Sequence, residues 1–367
     1  MLKPLYYLCK VFGLASYSYV ADRGNKRVTT DYGYWNCMFT VIWLIVLTVG
    51  LPVQILTLRS GYLGSTILFI VFMLYIISSY TSSVVAVVWV SVVKRKMFLE
   101  IIEIISEMDN KIQYTLQEET YMNRRVMFNI ISEIILLTVI KCILIINNLY
   151  HIASEPYYII ILDTISYVPD IGYALMLFQF VNLIFMLKQR YVHLNNRLSY
   201  CINGKVNRPI YLKKQNERRS QSDGAVDQVN LTSLCVSSVE HIDGTLRQTD
   251  IHLLGQIYSE LYDITCLIND IYGIPILATV CCMLTGVVFS LYEGLEYSNE
   301  WGGLDLTYGL MFLVLFFKIK FFCPTATNET RNSRILVAKL LLEGNYRNEC
   351  VKQLKMFSLQ LQVMTIE

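Results

Sequence analysis

The sequence has little charge and no recognisable catalytic motif. Only 16% of its 367 residues are charged, against about a quarter in a typical soluble domain, and 54% are hydrophobic. It contains no Walker loop, GxSxG, HExxH or dinucleotide-binding glycine pattern, and its four histidines are scattered. Basic runs with interleaved aromatic residues are missing as well. These absences argue against an enzyme, a bound cofactor or metal, and a nucleic-acid partner.

Long apolar runs are what the sequence does contain. A hydrocarbon core about 30 Å thick is crossed by about 20 apolar residues of helix, because unpaired backbone groups are too costly in lipid. The runs therefore predict an all-α, polytopic membrane protein. Six spans are predicted: Cys37–Thr57, Leu63–Val93, Val126–Leu149, Tyr157–Leu187, Ile271–Tyr292 and Leu304–Phe322.

Lysine and arginine are sorted to one side of these spans. Five lie before the first span, six between the second and third, ten between the fourth and fifth, and eight from Lys318 onward. The three opposite loops contain one, Arg59, and Lys141 lies within a span. Basic residues near span ends stay in the cytosol, so the amino terminus is predicted to be cytosolic.

This topology predicts five regions. Residues 1–36 form a cytosolic N-terminal segment, and residues 37–187 contain spans one to four. Residues 188–268 contain a cytosolic linker and an amphipathic helix, residues 269–322 contain spans five and six, and residues 323–367 form cytosolic C-terminal helices. Part of the linker, Asn203–Asn230, has the polar composition typical of disorder. A plasma-membrane location is expected.

None of the ten cysteines falls in a predicted outer loop. They lie in apolar spans or in segments assigned to the reducing cytosol, and they show no zinc-ligand spacing. Free thiols are therefore predicted.

Two amphipathic helices are predicted on the cytosolic side. One carries an apolar seam before span five and the other carries a similar seam at the carboxyl end. The seam residues are Ile251, Leu254, Tyr258, Leu261, Thr265 and Ile268 in the first, and Val351, Leu354, Phe357 and Leu361 in the second. The two helices are expected to pack together, within a subunit or between subunits. The alternative is that they lie on the membrane surface.

Charged and phenolic side chains within the spans indicate a ligand pocket. Lys141 and Asp163 are predicted to meet near the outer half of the membrane, because a charge in lipid needs a partner or a polar cavity. Asp170 in span four is predicted to belong to the pocket for the same reason. The alternative is an ion pair that only fixes helix register. Four tyrosines, for which helix packing is the alternative role, complete the predicted pocket: Tyr75, Tyr167, Tyr173 and Tyr308.

Three segments resemble the insect gustatory receptor family. They are Arg190–Leu198 after span four, Leu253–Asp263 before span five, and Leu354–Leu361. The opening residues Leu2–Leu8 are also similar to the family. The resemblance extends over essentially the whole chain.

The resemblance implies a ligand-gated, non-selective cation channel for small-molecule tastants. It implies a homo- or hetero-tetramer around a central pore, with subunit contacts in a cytosolic anchor. The two amphipathic helices fall where that anchor is expected.

The family has a seventh, pore-lining span, which this sequence does not contain; Gln362–Glu367 stands where the family continues. The expectation is a truncated form that does not conduct alone. One hypothesis is a retained intron, because CAG-GTA-ATG, which encodes Gln-Val-Met, contains a splice donor. Sequencing the spliced transcript tests this hypothesis.

Two other classes of membrane protein remain as alternatives. A G-protein-coupled receptor has an external amino terminus and commonly an outer-loop disulfide. A secondary solute transporter tends to show repeated halves with matched broken helices. Pro169 and Pro275 interrupt spans four and five, but no repeat is visible.

Overall fold

A computed structural model describes the chain in segments. The described residues are 9–10, 14–15, 18–21, 28–31, 34–58, 66–112, 168–203, 248–296, 302–343 and 348–363, with isolated residues between 124 and 146. The elements are β1 (Ser18–Ala21), β2 (Val28–Asp31), α1 (Tyr34–Leu58), α2 (Thr66–Val88), a π-helical segment (Trp89–Val93), α3 (Arg95–Ile112), α4 (Val168–Asn203), α5 (Gln248–Glu296), α6 (Gly302–Glu343) and α7 (Asn348–Val363).

The predicted all-α class is confirmed, with one small exception. Strands β1 and β2 form an antiparallel hairpin in which Ser18 faces Asp31 and Ala21 faces Val28. The strands are rich in the β-branched and aromatic side chains that favour a β-ladder. Tyr19 pairs with Thr30, and Val20 pairs with Thr29. The prediction of a purely helical chain overlooked this hairpin.

Five helices among the described residues are long and apolar enough to cross a membrane. These stretches are Cys37–Ile55, Thr66–Val93, Pro169–Ser199, Ile251–Tyr292 and Gly309–Leu342. Each of them overlaps one of the predicted spans. The remaining predicted span, Val126–Leu149, lies mostly outside the described residues, so the count of six and the cytosolic amino terminus stay predictions.

The helix that contains the sixth predicted span extends beyond it. The span was predicted to end at Phe322, and α6 continues through Pro324 to Glu343. Proline removes one backbone hydrogen bond from a helix without always ending it. Here the Thr325 hydroxyl donates a hydrogen bond to the Phe322 carbonyl at 2.6 Å within the same turn.

The second predicted span is also more complex than one helix. Helix α2 ends in the π-helical segment Trp89–Val93, and Lys94 separates that segment from α3. Helix α3 is strongly amphipathic, since its buried positions Phe98, Ile101 and Met108 recur at helical spacing.

The chain forms two compact units, each with its own packing. The first comprises Met1–Gln189 and Glu260–Ala326, and the second comprises Arg190–Ser259 and Thr327–Glu367. The first unit contains the buried polar residues discussed below. The second contains a core built around Tyr191 and Tyr258, and its placement in the cytosol stays a prediction.

Seven cysteines among the described residues are free thiols, as predicted for them.

Cys9 is buried, with 1% of its surface exposed, and burial raises its pKa to about 12. Only the thiolate reacts with maleimides. Cys9 should therefore be labelled at least about a hundredfold more slowly than the exposed Cys266 in the native protein. Peptide mass spectrometry after timed N-ethylmaleimide treatment measures this ratio, and unfolding in SDS should abolish it. Equal native rates would contradict the burial of Cys9.

Candidate functional site: a buried carboxyl group among membrane helices

Asp170 lies in the first turn of α4, within an apolar stretch long enough to cross a membrane. Only 2% of its surface is exposed. A carboxyl group in such surroundings is costly unless hydrogen-bond donors face it. The neighbouring helices supply those donors.

Three hydroxyl groups donate hydrogen bonds to the Asp170 carboxyl group. The Tyr75 hydroxyl lies 3.1 Å from Oδ1 and 3.2 Å from Oδ2. The Ser79 hydroxyl donates to Oδ1 at 2.8 Å, and the Tyr173 hydroxyl donates to Oδ1 at 3.1 Å. We call Tyr75, Ser79, Asp170 and Tyr173 the Asp170 cluster.

Helical spacing explains how the cluster forms. Tyr75 and Ser79 are four residues apart on α2, so both side chains lie on one face of that helix. Asp170 and Tyr173 are three residues apart on α4 and are neighbours for the same reason. Two short-range patterns on two helices therefore place three donors around one acceptor.

Aromatic rings from α5 and α6 cover the cluster. The Tyr75 ring stacks on Phe289 with centroids 5.5 Å apart, and it meets the edge of Phe312 at 6.0 Å. Phe72 packs against Phe289 at 4.9 Å. The Tyr75 hydroxyl that contacts the carboxyl group is therefore carried by a ring packed against phenyl rings of two other helices.

Helices α5 and α6 approach closely at two small residues. A Cβ atom added at Gly286 would lie 2.5 Å from a ring atom of Phe312, and one at Gly309 would lie 3.1 Å from the Ser290 Cβ. Higher positions on α5 pair with lower positions on α6, so the two helices run antiparallel. Small residues commonly allow such contact between membrane helices.

A second row of hydroxyl groups joins α2 to α5. Ser78 and Thr285 are hydrogen-bonded at 2.7 Å, and Ser82 and Thr279 at 3.0 Å. We call these four residues the hydroxyl seam. Ser78 and Ser82 face α5 while Ser79, one residue further along, faces Asp170, so one serine-rich turn of α2 serves two neighbouring helices.

The second unit contains an aromatic core. The Tyr258 ring lies 5.7 Å from the ring of Tyr191 and 5.9 Å from that of Phe357, both edge to face. A Cβ atom at Gly255 would lie 3.7 Å from Phe357, in ordinary contact. Helices α5 and α7 therefore pack together within one chain in this unit.

Comparison with protein families identifies the chain. The family model described as 7tm chemosensory receptor matches residues 2–365. The chain belongs to the 7tm chemosensory receptor family. It is a multi-pass membrane protein with a chemoreceptor role. Comparison with curated proteins yields no match.

Three of the seven predicted pocket residues of this chemosensory receptor lie together in the structure. They are Tyr75, Asp170 and Tyr173, and all three are buried. Tyr308 lies on α6, although its side chain is not among the described ones. Lys141, Asp163 and Tyr167 lie outside the described residues. The role of all seven as a ligand pocket stays a prediction.

The predicted anchor residues divide between the two units. In the second unit, six of them are buried within the chain: Ile251, Leu254, Tyr258, Leu354, Phe357 and Leu361. Leu261 and Ile268 are buried in the first unit. Their predicted role in contacts between receptor subunits is not tested by this packing and stays a prediction.

Sequence reasoning missed Ser79 and the hydroxyl seam. The signal was present as the run Ser78-Ser79-Tyr80-Thr81-Ser82-Ser83, an unusual concentration of hydroxyl groups inside an apolar span. Polar side chains in such a span commonly face neighbouring helices. Phe289 and Phe312 were missed because nothing in the sequence distinguishes them from other apolar residues of their helices.

The site is suited to hydrogen bonding. It offers one carboxyl acceptor, three hydroxyl groups that can donate or accept, and several ring faces. Within the described part of the receptor, no group of three His, Cys, Asp or Glu residues is placed to hold a metal ion.

Proposed function

We propose that this receptor is a subunit of a ligand-gated, non-selective cation channel that responds to a small-molecule tastant. Membership of the chemosensory receptor family supports a receptor role, and the buried Asp170 cluster supports a polar recognition site among the membrane helices. The sorting of basic residues supports a cytosolic amino terminus. The proposed location is the plasma membrane. Assembly is proposed as a homo- or hetero-tetramer with related subunits.

The Asp170 cluster is the observation that carries the proposed ligand site. Its polar atoms are spread over α2 and α4, and its ring faces come from α2, α5 and α6. A ligand that exchanges hydrogen bonds with Tyr75 or Tyr173 would therefore alter contacts of several helices at once. Such a site is suited to gating because differential contacts with two conformations shift their populations.

Patch-clamp recording from cultured cells tests the channel proposal. Cells express this chain alone, a related seven-helix receptor subunit alone, or both, and are exposed to a panel of sugars and bitter compounds. Co-expression should add a tastant response with a reversal potential near zero. Identical responses with and without this chain at the cell surface would contradict the proposal.

Tyr75→Phe tests the ligand site in the responding cells. The substitution keeps the ring and removes the hydroxyl that contacts Asp170. The half-maximal tastant concentration should rise about tenfold, because a tenfold change corresponds to about 1.4 kcal/mol, within the net contribution of one hydrogen bond. Tyr262→Phe on α5, outside the Asp170 cluster, is the matched control. If both variants shift the concentration equally, the ligand site lies elsewhere.

Two further measurements separate the alternatives. An epitope tag at Met1 should stain only permeabilised cells; staining of intact cells would overturn the cytosolic amino terminus. A response abolished by intracellular GDPβS would indicate G-protein coupling, and tastant uptake without current would indicate a transporter.

A further inference from the structure

Two lysines, Lys318 and Lys320, lie within an apolar stretch of α6 that is long enough to cross a membrane. The sequence of α6 has no acidic residue between Asp305 and Glu329, so neither lysine has a carboxylate within two turns on its own helix. The residues three and four positions away are the neighbours of a side chain on a helix surface. For these lysines none of them is charged: Val314, Leu315, Phe321 and Phe322 around the first, and Phe316, Phe317, Cys323 and Pro324 around the second.

Lys318 faces α4. Its Nζ atom lies 5.3 Å from the centroid of the Phe178 ring, and Phe178 is buried. One turn further along α6, the Phe322 ring meets the Phe185 ring of α4 edge to face, with centroids 6.3 Å apart. This side of α6 therefore packs on α4, and a cation–π contact stabilises the Lys318 ammonium group there.

Lys320 lies on a different side of the same helix. Successive residues are about 100° apart around an α-helix, so Lys320 is about 160° away from Lys318. Its side chain is exposed, and the described part of the structure places no carboxylate against it. A row of exposed apolar side chains, which we call the α6 ridge, runs beside it: Leu310, Leu313, Val314, Phe317 and Phe321.

The position of Lys320 along α6 matches the thickness of a bilayer. Lys320 lies 18 residues beyond Gly302, the first residue of α6, which corresponds to about 27 Å of helix. The hydrocarbon core is about 30 Å thick, and α6 continues well past this point to Glu343. A helix that enters the bilayer near Gly302 therefore has the α6 ridge among acyl chains and Lys320 at the level of the lipid headgroups.

We propose that Lys320 and the α6 ridge bind an acidic phospholipid, with the ammonium group on the lipid headgroup and the acyl chains along the ridge. An ammonium group among apolar side chains needs an anion, and an acidic phospholipid supplies the anion and the hydrocarbon together. In the predicted topology this lipid belongs to the cytosolic leaflet, which is rich in acidic lipids. The proposal does not depend on the channel or the ligand site proposed above.

Photolabelling of the full-length receptor in phosphatidylcholine nanodiscs tests this proposal. The nanodiscs contain the same small fraction of either a phosphatidylserine or a phosphatidylcholine probe, each with a diazirine in its acyl chain. One lysine near an acidic headgroup contributes about fivefold in binding, so the serine probe should label Leu310–Pro324 about fivefold more than the choline probe. Peptide mass spectrometry measures this ratio. Lys320→Gln should reduce it to about one, and Lys320→Arg should retain it.

Equal labelling by the two probes in the native receptor, or an unchanged ratio in Lys320→Gln, would overturn the proposal. An excess of soluble glycerophosphoserine should leave the labelling unchanged. If this headgroup without acyl chains abolishes the labelling, the surface recognises a free anion and not a lipid, and the proposal is wrong.

Lys318→Gln is the matched control on the same helix. It removes the same charge two residues away and should keep the labelling ratio, because Lys318 faces α4. It should instead lower the melting temperature in detergent through loss of the contact with Phe178, whereas Lys320→Gln should leave that temperature unchanged. A labelling ratio that falls equally in both variants would mean that any positive charge at this level suffices, which overturns the assignment to Lys320.

Discussion

Asp170→Ala is expected to destabilise the receptor by about 2–5 kcal/mol, because the substitution leaves three buried hydroxyl donors without their acceptor. Each buried donor that loses its acceptor costs about 1–3 kcal/mol of stability. The variant also no longer buries a carboxyl group, and the desolvation cost that this removes offsets part of the loss. Asp170→Asn keeps one acceptor oxygen and should lie between alanine and the native protein.

Thermal unfolding in detergent, followed by fluorescence-detected size-exclusion chromatography, measures this effect. The melting temperature of Asp170→Ala should fall by about 5–10 °C. Asp270→Ala removes an exposed carboxyl group from α5 and should leave the melting temperature unchanged. Ser79→Ala, which removes one donor, should cost about 1 kcal/mol. A melting temperature for Asp170→Ala equal to that of the native receptor would show that the Asp170 cluster does not stabilise the fold.

Gly286→Val is expected to separate α5 from α6. Even the first side-chain carbon at this position would lie 2.5–2.9 Å from three ring atoms of Phe312. Phe312 is fully buried and meets Tyr75 edge to face, so its ring cannot yield without moving the Asp170 cluster. Overpacking of this kind costs about 1–3 kcal/mol. Gly286→Val should therefore lower both the melting temperature and the tastant response.

Helix α5 contains its own control for this prediction. A Cβ atom at Gly273 would meet only the Asn269 side chain at 4.0 Å, so Gly273→Val should be tolerated. Adding Phe312→Leu to Gly286→Val should recover part of the lost stability by making room for the new side chain. If Gly273→Val and Gly286→Val have the same melting temperature, α5 and α6 do not make the close contact described at Gly286.

Much of the helical framework could be predicted from the sequence, because lipid imposes a strong constraint on composition. Cys37–Thr57 was predicted within one residue of α1's end at Leu58, since no other structure pairs backbone groups across an apolar run of this length. The seam from Ile251 to Ile268 likewise predicted the start of α5. The prediction ended the sixth span at Phe322, where the apolar run ends, and did not foresee that one helix continues through Pro324 to Glu343.

The site was only partly predictable for a different physical reason. Asp170, Tyr75 and Tyr173 could be selected as polar or phenolic groups in lipid, where such groups need partners. Which helix faces meet depends on packing between segments far apart in sequence, and Phe289 and Phe312 carry no local signal of it. The π-helical turn at Trp89–Val93 could not be predicted either, because the sequence of this span is apolar around the whole helix and its pattern does not mark an extra residue.

The hydroxyl seam has a consequence for how easily α2 and α5 can part. The Ser78, Thr285 and Thr279 hydroxyl groups also lie 2.8–2.9 Å from carbonyl oxygens of their own helices, those of Tyr75, Cys282 and Pro275. Each has one proton, which it can donate either across the seam or to its own helix. When the two helices move apart, these three hydroxyl groups keep a backbone partner in hydrocarbon. The membrane therefore imposes little penalty on separation, and the contact can open and re-form many times without unravelling either helix.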